Sequence, residues 1–300
     1  MTDPTRREFL GWGGALTLVG GSGLVGEVLA ACGSGSSGPS GETTWQRVMR
    51  TKTVVIGLAN ENPAAFINGT NADGQAPSVA KAVLALSGVT NLNATVTEFD
   101  SLIPGLVAKR FDMIGAGMFV RPARCKQIAF AEPDGSVPDY ALVRKGNPKG
   151  IHKANDIAIM KVKFAVQTGA FEQTFAQQIG VSADNLIVVP TQQDQVASVL
   201  SGRADVTMFN KPALTLVVAQ HPNDLEIAEP WTPPLDASGK PFPAWSAEGF
   251  RKEDSDFLSA FNSGLAQLKA NGTLTQIDNK WGYDPPNADT PTTSAICSGS

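Results

Sequence analysis

The 300-residue chain carries 24 Lys and Arg against 28 Asp and Glu, for a formal net charge of −4, and only 17% of it is charged. No basic run is interleaved with aromatics, so the electrostatic footprint of a nucleic-acid binder is missing and a small-molecule partner is expected instead. The two histidines, His152 and His221, stand in polar connecting sequence, and no HxxxH, CxxC or clustered carboxylate set occurs, so neither a metal nor a cofactor is expected.

The chain begins with Thr5-Arg6-Arg7-Glu8-Phe9-Leu10, paired arginines set before an apolar stretch, which is the pattern of a twin-arginine export signal. Residues 11–31 hold no Lys, Arg or Asp, yet they are rich in glycine and include Glu27, so they are too weakly apolar for a permanent span. The stretch closes on Leu29-Ala30-Ala31-Cys32, which resembles the lipobox of bacterial lipoproteins, where the Cys32 sulfur would be acylated and become the new N-terminus. Residues 1–32 are therefore expected to be a signal and residues 33–44, with GSGSSGPSG, a flexible tether. A lipid anchor at Cys32 would hold a water-soluble, extracytoplasmic domain at the outer face of the cell membrane.

From Thr53 onward short apolar runs alternate with helical patterns. Strands are expected at 53–60, 93–99 and 111–119 with helices at 77–88 and 101–110, a βαβαβ unit of parallel-sheet character. A second unit follows, with strands at 163–168, 186–190 and 204–210 and helices at 170–180, 192–203 and 211–221. Lys109-Arg110-Phe111-Asp112 and Gly202-Arg203-Ala204-Asp205 enter a strand in the same way, an echo that suggests two related sheets, with Asp112 and Asp205 accepting backbone N–H groups at the turns. Residues 139–148 and the proline-rich 230–243 give two crossings between lobes, a hinge. A strand at 244–250 and an amphipathic helix at 254–272, with Phe257, Leu258, Phe261, Leu265 and Leu268 on one face, return to the first lobe. The division is 45–140 plus 240–284 for lobe one and 141–239 for lobe two, with 285–300 a disordered tail. Cys125 and Cys297 are expected to remain unpaired, since two cysteines in so long a chain make no framework.

In open α/β sheets a ligand binds beyond the carboxyl ends of the strands. Strand one exits into Glu61 and Phe66, strand two at Phe99, and strand three at Phe119, followed by Arg121 and Arg124. An acid, phenyl rings and guanidinium groups on one rim suit a compact zwitterion: Arg124 clamps a carboxylate, Phe99 and Phe119 wall a cation, and Glu61 supplies the counter-charge. Taken singly, each has a plainer reading as core, turn or solvated charge; their shared location favours the ligand. In lobe two, Thr168 precedes a helix start that could meet an anion, and Asn210 ends the last strand, where it is a poor partner for a free ammonium.

The stretches TVVIGLANENP (53–63), VTEFDSLIPGL (96–106) and KRFDMIGAGMFVRPARCKQIAF (109–130) resemble the family 3 extracellular solute-binding proteins, and within them the ectoine and hydroxyectoine receptors of ABC importers. GFRKEDSDFLSAFNSGLAQLKANGTLTQIDNKWG (249–282) matches the family as a whole. The resemblance implies an α/β clamshell of two open sheets with a two-crossing hinge, and a monomer that closes on its solute and presents it to an ABC permease. It also implies that the carboxylate is held at Arg124, the ring nitrogens at Glu61, and the ring between Phe99 and Phe119. The sequence departs from the pattern at Ala64, where an aromatic is expected; either one wall is missing or Phe66 replaces it. A polar amino acid is the alternative cargo. A dehydratase on the same fold would need an acid or base in the cleft, where only Glu61 qualifies.

Overall fold

The computed structural model describes residues 41–235, 239, 241–242 and 244–299. Arg6, Arg7, Cys32 and most of the expected tether lie outside the described residues. Among the described residues, no helix is long and apolar enough to cross a membrane.

Helix α1 (Thr44–Thr51) opens the described fold with a capping box between Thr43 and Gln46. The first lobe is then built on β1 (Thr53–Leu58), α2 (Gln75–Leu86), β2 (Asn91–Val96), α3 (Leu102–Val107), β3 (Met113–Ile114), α4 (Pro122–Cys125) and β4 (Ala129–Phe130). The second lobe contains β5 (Asp139–Arg144), β6 (Phe164–Gln167), α5 (Phe171–Gln178), β7 (Leu186–Val189), α6 (Gln192–Leu200), β8 (Val206–Asn210), α7 (Lys211–Gln220) and β9 (Leu225–Ile227). The chain returns through β10 (Gly249–Phe250), α8 (Ser255–Ala270), α9 (Thr273–Trp281) and α10 (Thr293–Ser298).

The two sheets repeat one plan. Strand order is β2-β1-β3-β10-β4 in the first and β7-β6-β8-β5-β9 in the second. In each, a parallel trio has its earliest strand at the centre, and antiparallel strands complete the far side. The expected echo is thus one of topology, and Asp112 and Asp205 do the same job at corresponding turns, accepting the N–H of Val55 and of Lys163, each at 2.9 Å. The expectation that residues 139–148 merely connect the lobes is corrected: Asp139–Arg144 is a strand that pairs with β8 through residues 139–143, because the alternating apolar residues Ala141 and Val143 pack into the second lobe's core. The crossing itself lies just before it. Outgoing Gly135–Ser136 and returning Trp245–Ser246 form a two-stranded antiparallel ribbon, and Val137 N–H donates to the Ala244 carbonyl at 3.2 Å. The expected strand at 244–250 is split into that ribbon and β10.

The helix expected at 254–272 is α8, which buries Phe257, Phe261, Leu265 and Leu268 on one stripe. Gly264 lets it lie against α2, since a Cβ there would stand 2.8 Å from Val83 Cγ1. The chain beyond Tyr283, expected to be disordered with unpaired cysteines, is instead ordered. Thr292 caps α10, Ile296 enters the first lobe's core, Thr293 Oγ1 donates to the Ala131 carbonyl at 2.5 Å, and Cys297 is disulfide-bonded to Cys125. Composition missed this because one apolar residue and one covalent bond, not an apolar stripe, hold the segment.

Candidate functional site

The cleft follows from the topology. In both sheets the strand order reverses beside the central strand, so the loops after β1 and β6 point into the same crevice. After β1, residues 61–65 close on themselves, with Glu61 N–H donating to the Ala65 carbonyl at 2.7 Å and Ala65 N–H returning to Glu61 at 2.8 Å. That closure fixes the Glu61 side chain in the cleft, where it is 7% exposed. Its carboxylate is held across the crevice by the second lobe: Gln167 Nε2 donates to it at 2.7 Å and Gln192 Nε2 at 3.3 Å. Burial pushes the Glu61 carboxyl up to about 7, the Gln167 hydrogen bond opposes this, and the nearby Glu172 charge adds to it.

Arg124 rises from α4, a single turn started by Pro122. Its Nη1 donates to the Phe119 carbonyl at 2.7 Å and its Nη2 crosses to the Gly169 carbonyl of the second lobe at 3.0 Å, while its guanidinium lies 5.3 Å from the Phe99 ring centroid. Arg121 is boxed by aromatics from both lobes, 4.2 Å from the Phe171 centroid, 5.5 Å from Phe119 and 5.7 Å from Phe242. Its Nε and Nη2 are buried and have no hydrogen-bond partner among the described residues. Burial lowers both guanidinium groups to about 10, which leaves them charged at neutral pH. The rings read from the sequence as walls for a ligand cation therefore also stack on the protein's own arginines.

Glu61, Phe99, Phe119, Arg124 and Asn210 all line one cleft, together with Ala64. Phe66 does not: its ring packs edge to face on Trp281, with centroids 5.9 Å apart. The place beside Ala64 is filled by Tyr283 and Val137, and Gly117 passes so close that a Cβ there would stand 3.0 Å from the Ala64 Cβ. Thr168 also stays out, its hydroxyl donating to the Val189 carbonyl at 3.2 Å. The helix start beyond it is partly occupied, because Gly169 N–H already donates to Gln173 Oε1 at 2.8 Å. Asn210 spends its side-chain oxygen on Ala213 N–H at 3.0 Å as the cap of α7.

Five polar cleft residues went unread in the sequence: Asp139, Gln167, Glu172, Gln192 and Gln195. Asp139 and Glu172 are both buried and share a side-chain hydrogen bond. Desolvation raises both carboxyls; the Glu172 charge raises Asp139 further, while hydrogen bonding to Asp139 and the charges of Arg124 and Arg121 oppose the rise at Glu172. The statement that Glu61 alone could act as acid or base in the cleft is thereby corrected. Pattern could not reveal Asp139, because it sits at the start of a strand whose lobe depends on tertiary pairing.

The model of the bacterial extracellular solute-binding proteins, family 3, matches residues 54–284. The chain belongs to this family. A probable amino-acid ABC transporter periplasmic-binding protein, y4tE, of Sinorhizobium fredii is 34% identical over 271 residues, 86% of this chain and 87% of the relative. The lysine/arginine/ornithine-binding periplasmic protein of Escherichia coli K12 is 27% identical over 62% of this chain and 70% of its own. Among solved structures, EhuB in complex with hydroxyectoine superposes with a TM-score of 0.76 at 29% identity, covering 85% of this chain and 97% of that one. The ancestral amino acid-binding protein AncCDT-1, a precursor of cyclohexadienyl dehydratase, gives 0.67 at 25% identity over 80% and 99%. The family accounts for the two-lobed α/β architecture and for the repeated sheet plan.

Proposed function

We propose that the chain is the solute receptor of an ABC importer of the amino-acid type, and that its cargo is a small zwitterion of the ectoine kind. The observation that carries this reading is the closed cleft itself, where a buried carboxylate, Glu61, and a half-buried guanidinium, Arg124, line one crevice and are each bonded across it to the opposite lobe. A solute that replaces those bonds stabilises the closed form, shifting an open–closed equilibrium toward the face a permease recognises. Similarity to EhuB supports the ectoine assignment.

The second reading is a polar amino acid. It is favoured by Asp139 and Glu172 in the cleft, which could receive an α-ammonium group, and by similarity to amino-acid-binding relatives. Binding rather than turnover is favoured by the relatives, which are named as receptors. The same reading gives a monomer, and export by the Arg6-Arg7 signal with anchoring through Cys32. A thermal-shift panel of ectoine, hydroxyectoine, glycine betaine, proline and polar amino acids tests the cargo. A ligand at a hundred times its Kd adds about 2.7 kcal/mol. The shift should vanish in Arg124→Ala. A shift that survives in Arg124→Ala would remove Arg124 from the site, and a shift with amino acids alone would select the second reading.

A further inference from the structure

Gln195 lies on α6 one turn beyond Gln192, on the same helical face, and both line the cleft. It is 1% exposed, an unusual burial for an amide on a helix that could have used Leu or Ile there. Its nitrogen is committed to the sheet beneath: Nε2 donates to Thr207 Oγ1 at 2.9 Å and more weakly to the Ala165 carbonyl at 3.4 Å. The Thr207 hydroxyl sends its own proton to that same carbonyl at 2.9 Å.

This relay fixes which way the amide faces. Turned over, its oxygen would meet a carbonyl and a hydroxyl whose only proton is already used, two acceptors against a third. The oxygen is therefore left on the cleft side, buried and without a hydrogen-bond partner among the described residues. A buried acceptor left unmet destabilises a fold by about 1–3 kcal/mol, so its retention calls for a partner beyond the described residues.

We infer that Gln195 Oε1 is a specificity contact, accepting a hydrogen bond from a second N–H or O–H donor of the solute whose first N–H group meets Glu61. The inference rests on the zwitterion reading of the cleft and adds the shape of the solute's nitrogen end. Gln192 reaches Glu61 from α6, Gln195 lies one turn along the same helix, and both acceptors belong to residues that line the one cleft. An amidinium or guanidinium offers two N–H donors spread apart and satisfies both acceptors. A quaternary ammonium offers none and leaves the Gln195 oxygen unmet. The site therefore discriminates between donor-bearing and fully methylated cations.

Calorimetry at pH 8 with ectoine, L-arginine and glycine betaine as probes tests this, using the chain from Glu42 onward and its Gln195→Met and Gln195→Leu variants. The wild type should bind ectoine or arginine at least tenfold more tightly than glycine betaine. Both variants should lose about tenfold in affinity for the donor-bearing probe and nothing for betaine, while the ligand-free melting temperature holds or rises. Equal affinity in wild type and variants, or a wild-type preference for betaine, overturns the inference and leaves a solute receptor. A fall in ligand-free stability that matches the lost affinity makes Gln195 structural and also overturns it. Binding of none of the three probes by the wild type overturns both the inference and the cargo assignment on which it rests.

Discussion

The proton on Glu61 makes solute affinity depend on pH in a direction the structure dictates. The carboxyl ionises near pH 7 in the folded protein, because it is buried and, among the described residues, two amide donors face it. A cationic solute needs the ionised form, so it binds a fraction of the protein that shrinks as pH falls. With a pKa of about 7, the apparent Kd exceeds the intrinsic one by about 1.1-fold at pH 8, about 2-fold at pH 7 and about 30-fold at pH 5.5. Binding at pH 6 should accordingly release roughly 0.9 proton per solute, since that fraction of Glu61 is protonated beforehand. Titration calorimetry in buffers of different ionisation enthalpy reads both quantities. Glu61→Gln, of the same shape without the charge, should bind roughly 30-fold or more weakly at pH 8 and show a flat profile below it. A wild-type Kd that is level from pH 8 to pH 5.5 would refute the reasoning. A slope that persists in Glu61→Gln would move the proton to the Asp139–Glu172 pair.

Two further predictions concern the fold that holds the cleft. The Cys125–Cys297 disulfide closes a sequence separation of 172 residues and lies next to Arg124, so Cys297→Ser or reduction should lower unfolding stability by about 2–4 kcal/mol; identical denaturant midpoints with and without reductant would contradict this. Asp278 sits beside Asp134 in the first lobe, bonded to Gln75 Nε2 at 2.9 Å, and burial raises its carboxyl to about 8 against 3.8 when unfolded. Folding therefore takes up a proton: the stability it contributes is full below about pH 4, falls by up to about 1.4 kcal/mol per unit, and levels above about pH 8. Asp278→Asn should make the measured slope shallower by about one proton, and an unchanged slope would exclude Asp278 as its source.

Much of the fold was legible along the chain, because local signals matched the final elements. Apolar runs bounded by turn residues marked the parallel trios, the 3.6 period marked α8, and the repeated Asp before a strand marked the two turns. The rim of the first lobe was legible too, since Glu61, Phe99, Phe119 and Arg124 follow from strand ends and open-sheet geometry alone. What failed were features whose lobe or anchor depends on distant partners. The helix α10 is held by one buried Ile and a disulfide, and the strand Asp139–Arg144, though its apolar residues alternate, is assigned to the second lobe only by pairing with β8.

The sequence by itself determined the alternation of strands and helices and which strand ends bear charge, because hydrophobic period and turn chemistry act over a few residues. Only the tertiary structure decided what those charges meet. Gln167 reaches Glu61 across 106 positions, Arg124 reaches Gly169 across 45, and Cys125 meets Cys297 across 172. Such partners are chosen when two lobes close on one another, and the free energy of that closure depends on desolvation and facing geometry that no window of sequence contains.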